Sequence, residues 1–131
     1  MRTIKFRGKC AHTDAWVYGS LVDYGKDEAT EIHGFDPYKE GEEDWRNIVV
    51  DRWTVGQYTG FTDKNGVKIY EGDIIRYTDN SNEDYPQYNK VCDVTFEEGC
   101  FYPVSEYWVK DVEVIGNIYD NSELLKTDSN D

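Results

Sequence analysis

The stretch TGFTDKNGVKIYEGDIIRY, residues 59–77, alternates short apolar runs with two glycine-marked turns. Asn65-Gly66 within DKNG is a strong hairpin signal, because both residue types tolerate the positive φ of a tight turn. Gly72 within EGD marks a second reversal, followed at once by Asp73. VKIY and DIIRY therefore read as strands on either side of this second turn, with Val67, Ile69 and Ile74 alternating into a core. Asn65, Gly66, Gly72 and Asp73 are read as structural turn residues.

The same pattern extends outward in both directions. Toward the N-terminus, TIKFR alternates Ile4 and Phe6 with Lys5 and Arg7, and AWVYGSLVDY supplies a second strand with Gly19 as a bulge. NIVV and TVGQYTG restart the β pattern before the hairpin. Beyond it, VCDVTF turns through EEG into CFYPV, where Pro103 marks an edge or strand end. EYWVKDVEVIGNIY reads as the last long strand, with Gly116 as a bulge. DNSELLK reads as a short helix behind an Asp/Asn cap. Two segments interrupt this regularity. Residues 25–47 are acidic and glycine-bearing, and are expected to be exposed and mobile with one short strand near Ile32. Residues 78–90 are expected to form a polar loop.

About eight short strands at this spacing imply an all-β fold, a small barrel or barrel-like sandwich. Fifteen per cent of the residues are aromatic, eleven of them tyrosine, which suits a pleated core. We expect one domain over residues 1–131: flanking N-terminal strands (1–24), the acidic excursion (25–47), and a β core with a short C-terminal helix (48–126).

Composition also limits function. The net charge of −13 repels phosphate, so direct nucleic-acid binding and attachment to an anionic membrane are not expected. The three cysteines, Cys10, Cys92 and Cys100, form no C-x-x-C pair and suit a reducing cytoplasm. No apolar run resembles a signal peptide or a membrane span. The hairpin superficially resembles an EF-hand loop. With Gly66 at the sixth position, however, Phe61 would occupy the first ligand position and Gly72 the bidentate one, and neither coordinates calcium. The acidic runs Glu42-Glu43-Asp44, Glu83-Asp84 and Glu97-Glu98 lack ligand or acid–base spacing and read as solvated faces. His12 and His33 fall in expected loops, and a pairing of His33 with Cys100 has no third orienting group. We therefore expect no catalytic, cofactor-binding or metal-binding residues and no cofactor. Trp45, Tyr85 and Tyr88, aromatics within polar segments, are the candidate partner-binding residues.

Blocks in a fixed order carry a resemblance: IKFRG, VYGSLVDY, TVGQYTGFTDKNGVKIYEGDII, VTFEEGCFYPV and VEVIGNIYDNSELL. The chain resembles the YopX family of bacteriophage and prophage proteins over nearly its whole length. Thr59, Gly60, Asp63, Gly66, Ile69, Tyr70, Glu71, Gly72 and Asp73 fill the places of the family's middle block. The family ending carries a proline where this chain has Ser122, and Gly8, Lys9 and Cys10 replace an aromatic-acidic pair after Phe6-Arg7. The resemblance implies a mostly-β fold encoded among phage accessory genes, with no agreed activity. The expected function is a non-enzymatic protein-binding module in the bacterial cytoplasm, engaging a host or phage protein. An acidic nucleic-acid mimic and a binder of nucleotide-like small molecules are the alternatives.

Overall fold

The computed structural model describes residues 3–25, 29–35 and 45–126, and the backbone alone for Phe35, Trp45 and Arg46. Among the described residues the chain is mostly β, as expected, with a single 3-10 turn at Ser122–Leu125 as its short C-terminal helix. The chain forms two compact units, Met1–Tyr58 and Thr59–Asp131.

The first unit is a barrel-like ring. Strands β1 (Phe6–Cys10), β2 (Trp16–Asp23), β3 (Thr30–Phe35) and β4 (Trp45–Thr62) pair in order, and β1 closes the ring by pairing with β4 as well. All of these pairings are antiparallel. The N-terminal strands thus build the ring. Their inward residues meet as Val17, Ile32 and Val50, with Phe6, Cys10, Leu21, Ile48 and Val55 packed around them. Gly8 leaves room for this cluster, since a Cβ there would sit 3.1 Å from Val50 and 3.3 Å from Ile32.

The ring has one large irregularity. Opposite the two steps from Arg7 to Lys9, β4 takes five, from Gly56 to Asp51. The Lys9 N–H donates to Thr54 Oγ1 at 2.8 Å, and that hydroxyl donates to the Asp51 carbonyl at 2.6 Å, so the bulge is held from within. It carries Trp53, 81% exposed, whose N–H donates to Asp51 Oδ1.

Several expectations are corrected here. Strand β1 starts at Phe6, and Ile4 lies outside it with its side chain exposed. Gly8, Lys9 and Cys10 continue this strand. Gly19 makes no bulge, because β2 stays in register with β3 through Gly19↔Gly34. Its role is close approach: a Cβ on Gly19 would lie 2.2 Å from the His33 carbonyl, and one on Gly34 2.2 Å from that of Tyr18. The short strand expected near Ile32 is β3, but it is core, with Ile32 at 0% exposure. His33 is therefore a strand residue rather than a loop one.

In the second unit the end of β4 turns into β5 (Lys68–Tyr70) and then β6 (Asp73–Asp79). A three-stranded sheet follows in the order β10 (Val109–Asn117), β6, β7 (Gln87–Asp93). A separate hairpin joins β8 (Thr95–Glu97) to β9 (Cys100–Tyr102). Its core is Ile69, Ile75, Tyr77, Val94 and Val104, with Cys92, Phe101 and three valines of β10 against them. Fully burying an Ile or Val contributes roughly 1.5–3 kcal/mol relative to exposure. The expected turns form with glycine at positive φ: Gly66 at 82°, Gly72 at 92° and Gly99 at 83°. Gly116 lies at a register shift between β10 and β6, as the bulge reading required.

Four details differ from expectation in this unit. Val67 is half-exposed and Ile75 takes a core place beside Ile69. The polar segment 78–90 is a loop only in its middle: β6 runs to Asp79 and β7 begins at Gln87, which leaves residues 80–86 as the loop. The last strand begins only at Val109, because residues 103–108 form successive turns. Asn121 precedes the 3-10 turn without capping it; its Oδ1 accepts the Asn117 N–H instead.

Candidate functional site

The carboxylates of the middle block are occupied by their own backbone. Asp63 is buried, and its Oδ1 accepts the N–H groups of Asn65 at 2.8 Å and Val67 at 2.9 Å. Its Oδ2 accepts Val114 N–H at 3.0 Å, and Lys64 N–H donates to the Val112 carbonyl, so the hairpin is fastened to β10. Burial works to raise the Asp63 pKa, but the three N–H donors outweigh it and hold the carboxyl below its ordinary value. Asp73 is buried too, and its Oδ2 accepts the Tyr70 N–H across the EGD turn at 2.7 Å. The Thr59 hydroxyl donates to the Ile69 carbonyl and accepts the Phe61 N–H. These side chains satisfy turn backbone that would otherwise be buried without partners. The block is a scaffold.

The titratable groups suited to chemistry are scattered or quiet. Cys92 is half-buried, and burial pushes its thiol pKa up; burial likewise raises that of Tyr77, its hydrogen-bond partner. A thiol so shifted is a poor nucleophile at neutral pH. Cys100 is exposed on β9, with its Sγ against the Glu97 carbonyl, while His33 belongs to β3 of the first unit. Among the described residues no group of three or more His, Cys, Asp or Glu could hold a metal ion. No helix among them is long and apolar enough to cross a membrane.

Exposed aromatics present a different picture. Val109, Asp79 and Gln87 lie side by side on β10, β6 and β7, so this register defines one end of the sheet. Tyr85 and Tyr88 flank Gln87, and Tyr107 lies two residues before Val109. Exposures are 77% for Tyr85, 68% for Tyr88 and 84% for Tyr107. With strands spaced about 4.8 Å apart, the two outer backbones lie about 10 Å from one another. Neither tyrosine singled out from the sequence folds back onto the core.

The chain that carries these rings is hydrogen-bonded. Ser81 N–H donates to Asp79 Oδ1, Asp84 N–H to Asn82 Oδ1, and Tyr85 N–H to the Asn82 carbonyl. Asn80 N–H reaches across to the Trp108 carbonyl at 2.8 Å, which joins the β6–β7 loop to the segment before β10. Tyr107 packs edge-on against Trp108 with ring centroids 5.3 Å apart. The Ser81 N–H and hydroxyl hold the Asp79 carboxyl below its ordinary pKa, so it stays ionised. Glu83, Asp84 and Asp111 are exposed around the same end, together with Lys90 and Lys110. We call this end the tyrosine rim.

Of the three candidate partner-binding residues, the structure brings Tyr85 and Tyr88 to the rim. Tyr88 belongs to a strand, not a loop, at a point where Asn89 adopts φ 58° and the β6–β7 register shifts. Trp45 opens β4 opposite Phe35, and its side chain lies outside the described residues. Sequence reading missed Tyr107 by absorbing it into a long strand; Pro103 and Ser105 just before it are the turn signals that could have separated it. It also missed Trp53, whose bulge depends on the remote pairing with β1 and leaves no local signature.

No curated protein matches this chain. Among solved structures, the crystal structure of protein EF1440 from Enterococcus faecalis is similar, with a TM-score of 0.59 and 24% sequence identity over 96% of this chain and 100% of that one. That likeness concerns the fold. The family model described as YopX protein matches residues 5–126, which takes in both the fastened hairpin and the rim. The chain belongs to the YopX family.

Proposed function

We propose that this chain is a non-enzymatic protein-binding module, an accessory protein of a phage or prophage that acts on a host or phage protein in the bacterial cytoplasm. The observation that carries this reading is the tyrosine rim. Three large rings stand exposed on hydrogen-bonded backbone at one end of one sheet. Tyrosine offers contact area with few torsions to freeze, and it is enriched where binding energy concentrates. The family's shared turn residues do structural work, and of the exposed aromatics the rim gathers three at one end of one sheet, whereas Trp53 stands on a bulge of the first unit. Lys90 and Lys110 interrupt the rim's acids, which is unlike the continuous rows of negative charge a nucleic-acid mimic needs. The test is a photo-crosslinking residue placed at Tyr85 or Tyr107 and expressed in bacteria carrying the prophage. A discrete crosslinked protein from both positions, and none from a control at exposed Lys68, supports the reading. Uniform or absent crosslinking at all three positions refutes it.

A further inference from the structure

The acidic surroundings of the rim say what kind of partner it fits. We infer that the rim receives an arginine- or lysine-rich segment of a protein partner, and that arginine is preferred. This rests on the reading of the rim as a protein-binding surface and narrows its chemistry.

The inference follows from charge and from backbone. Five carboxylates stand on the rim's segments: Asp79, Glu83, Asp84, Glu106 and Asp111; two lysines, Lys90 and Lys110, stand with them. Asp79 is held ionised by Ser81, and Glu83, Asp84 and Asp111 are exposed. The local charge is therefore negative beside three exposed aromatic faces. A guanidinium stacks on a tyrosine face and pairs with a carboxylate at its edge, so one side chain satisfies both features. Phosphate would be repelled by the same carboxylates.

The backbone argues against the other common way of binding at a sheet margin. β7 and β10 are the outer strands of the sheet, and adding a partner strand to either would need a regular row of free N–H and C=O groups. On β10 the row is broken at Asp111, with φ 55° and a register shift against β6. On β7 it is broken at Tyr88-Asn89, where Asn89 takes positive φ and the register shifts. Such a bulge blocks strand addition. Recognition at this end falls to side chains. The span of about 10 Å between the flanking backbones matches about three to four extended residues.

The probe is an octa-arginine peptide, titrated into the full chain at 150 mM salt and followed by amide chemical shifts. Octa-lysine and a neutral glycine-serine octapeptide serve as comparisons. Shifts concentrated in residues 79–90 and 105–111, larger for octa-arginine than for octa-lysine, support the inference. Replacing Tyr85, Tyr88 and Tyr107 together by alanine, which leaves every charge in place, should weaken octa-arginine binding about tenfold or more, as expected of three cation–aromatic contacts. Because these rings are exposed, the melting temperature should stay within a degree or two, which shows that the variant is folded. Shifts spread over the acidic residues of both units, or binding that ignores the triple substitution, would overturn the inference. If crosslinking at Tyr85 captures a discrete partner whose captured segment is not basic, this inference falls and the wider protein-binding reading survives.

Discussion

Replacing Asp63 by asparagine removes one oxygen from a carboxylate that holds three backbone N–H groups. The remaining carbonyl can keep the donors from Asn65 and Val67, which curl around one side of the turn. The new amide then faces the Val114 N–H, donor against donor, at a part-buried position. A buried donor left unsatisfied costs about 1–3 kcal/mol, and converting charged acceptors to neutral ones weakens the other two contacts. The expected loss is about 2 kcal/mol, or a fall in melting temperature of roughly 6–12 °C at this chain length. The pH dependence has a definite sign. The Asp63 pKa is lower folded than its ordinary value of 3.8, so its stabilisation is present in full above that value. It is lost as pH falls below about 4 and through the folded pKa. The gap between wild type and Asp63→Asn, measured by thermal or urea unfolding, should be widest near neutrality and shrink in acid. A variant as stable as wild type at pH 7, or a gap independent of pH, would refute this role for the carboxylate.

Three further expectations test the fold. Ile32→Ala should cost about 2–5 kcal/mol in denaturant unfolding, because a fully buried side chain leaves a cavity; a loss below about 1 kcal/mol would contradict its core placement. Gly66→Ala should cost about 1 kcal/mol through backbone strain alone, since nothing lies within 4 Å of its Cβ position, whereas Gly66→Asn should cost less. Iodoacetamide followed by mass spectrometry should label exposed Cys100 before Cys92, whose thiol pKa is raised by burial. The reverse order would place Cys92 wrongly.

What could be read from the sequence was local. Asn65-Gly66 and Gly72 form turns because positive φ is a property of the residue itself, and Gly116 marks a bulge for a related reason. The short strand near Ile32 was visible as an apolar interruption, but its central burial was not, because that depends on Val17 and Val50 from distant strands. Closure of the ring by β1 and β4 is likewise a long-range pairing. The segment QYNK reads as loop by composition and becomes strand because β6 offers it a partner. Asp63 reads in the sequence only as one place of the middle block, and the donors to its carboxylate, including Val114 51 residues away, become evident only in the fold. Tyr85 and Tyr88 were legible as aromatics stranded among polar residues. Tyr107 joined them only once Val109 was seen beside Asp79.

The decisive measurement compares partner capture by the wild-type chain and by the Tyr85→Ala, Tyr88→Ala, Tyr107→Ala variant, each immobilised at equal density and confirmed folded by its melting temperature. Capture from prophage-bearing cells should fall at least about tenfold in the variant, since exposed tyrosine anchors concentrate binding energy. The same partners recovered in the same amount by both chains would place the function elsewhere than the rim.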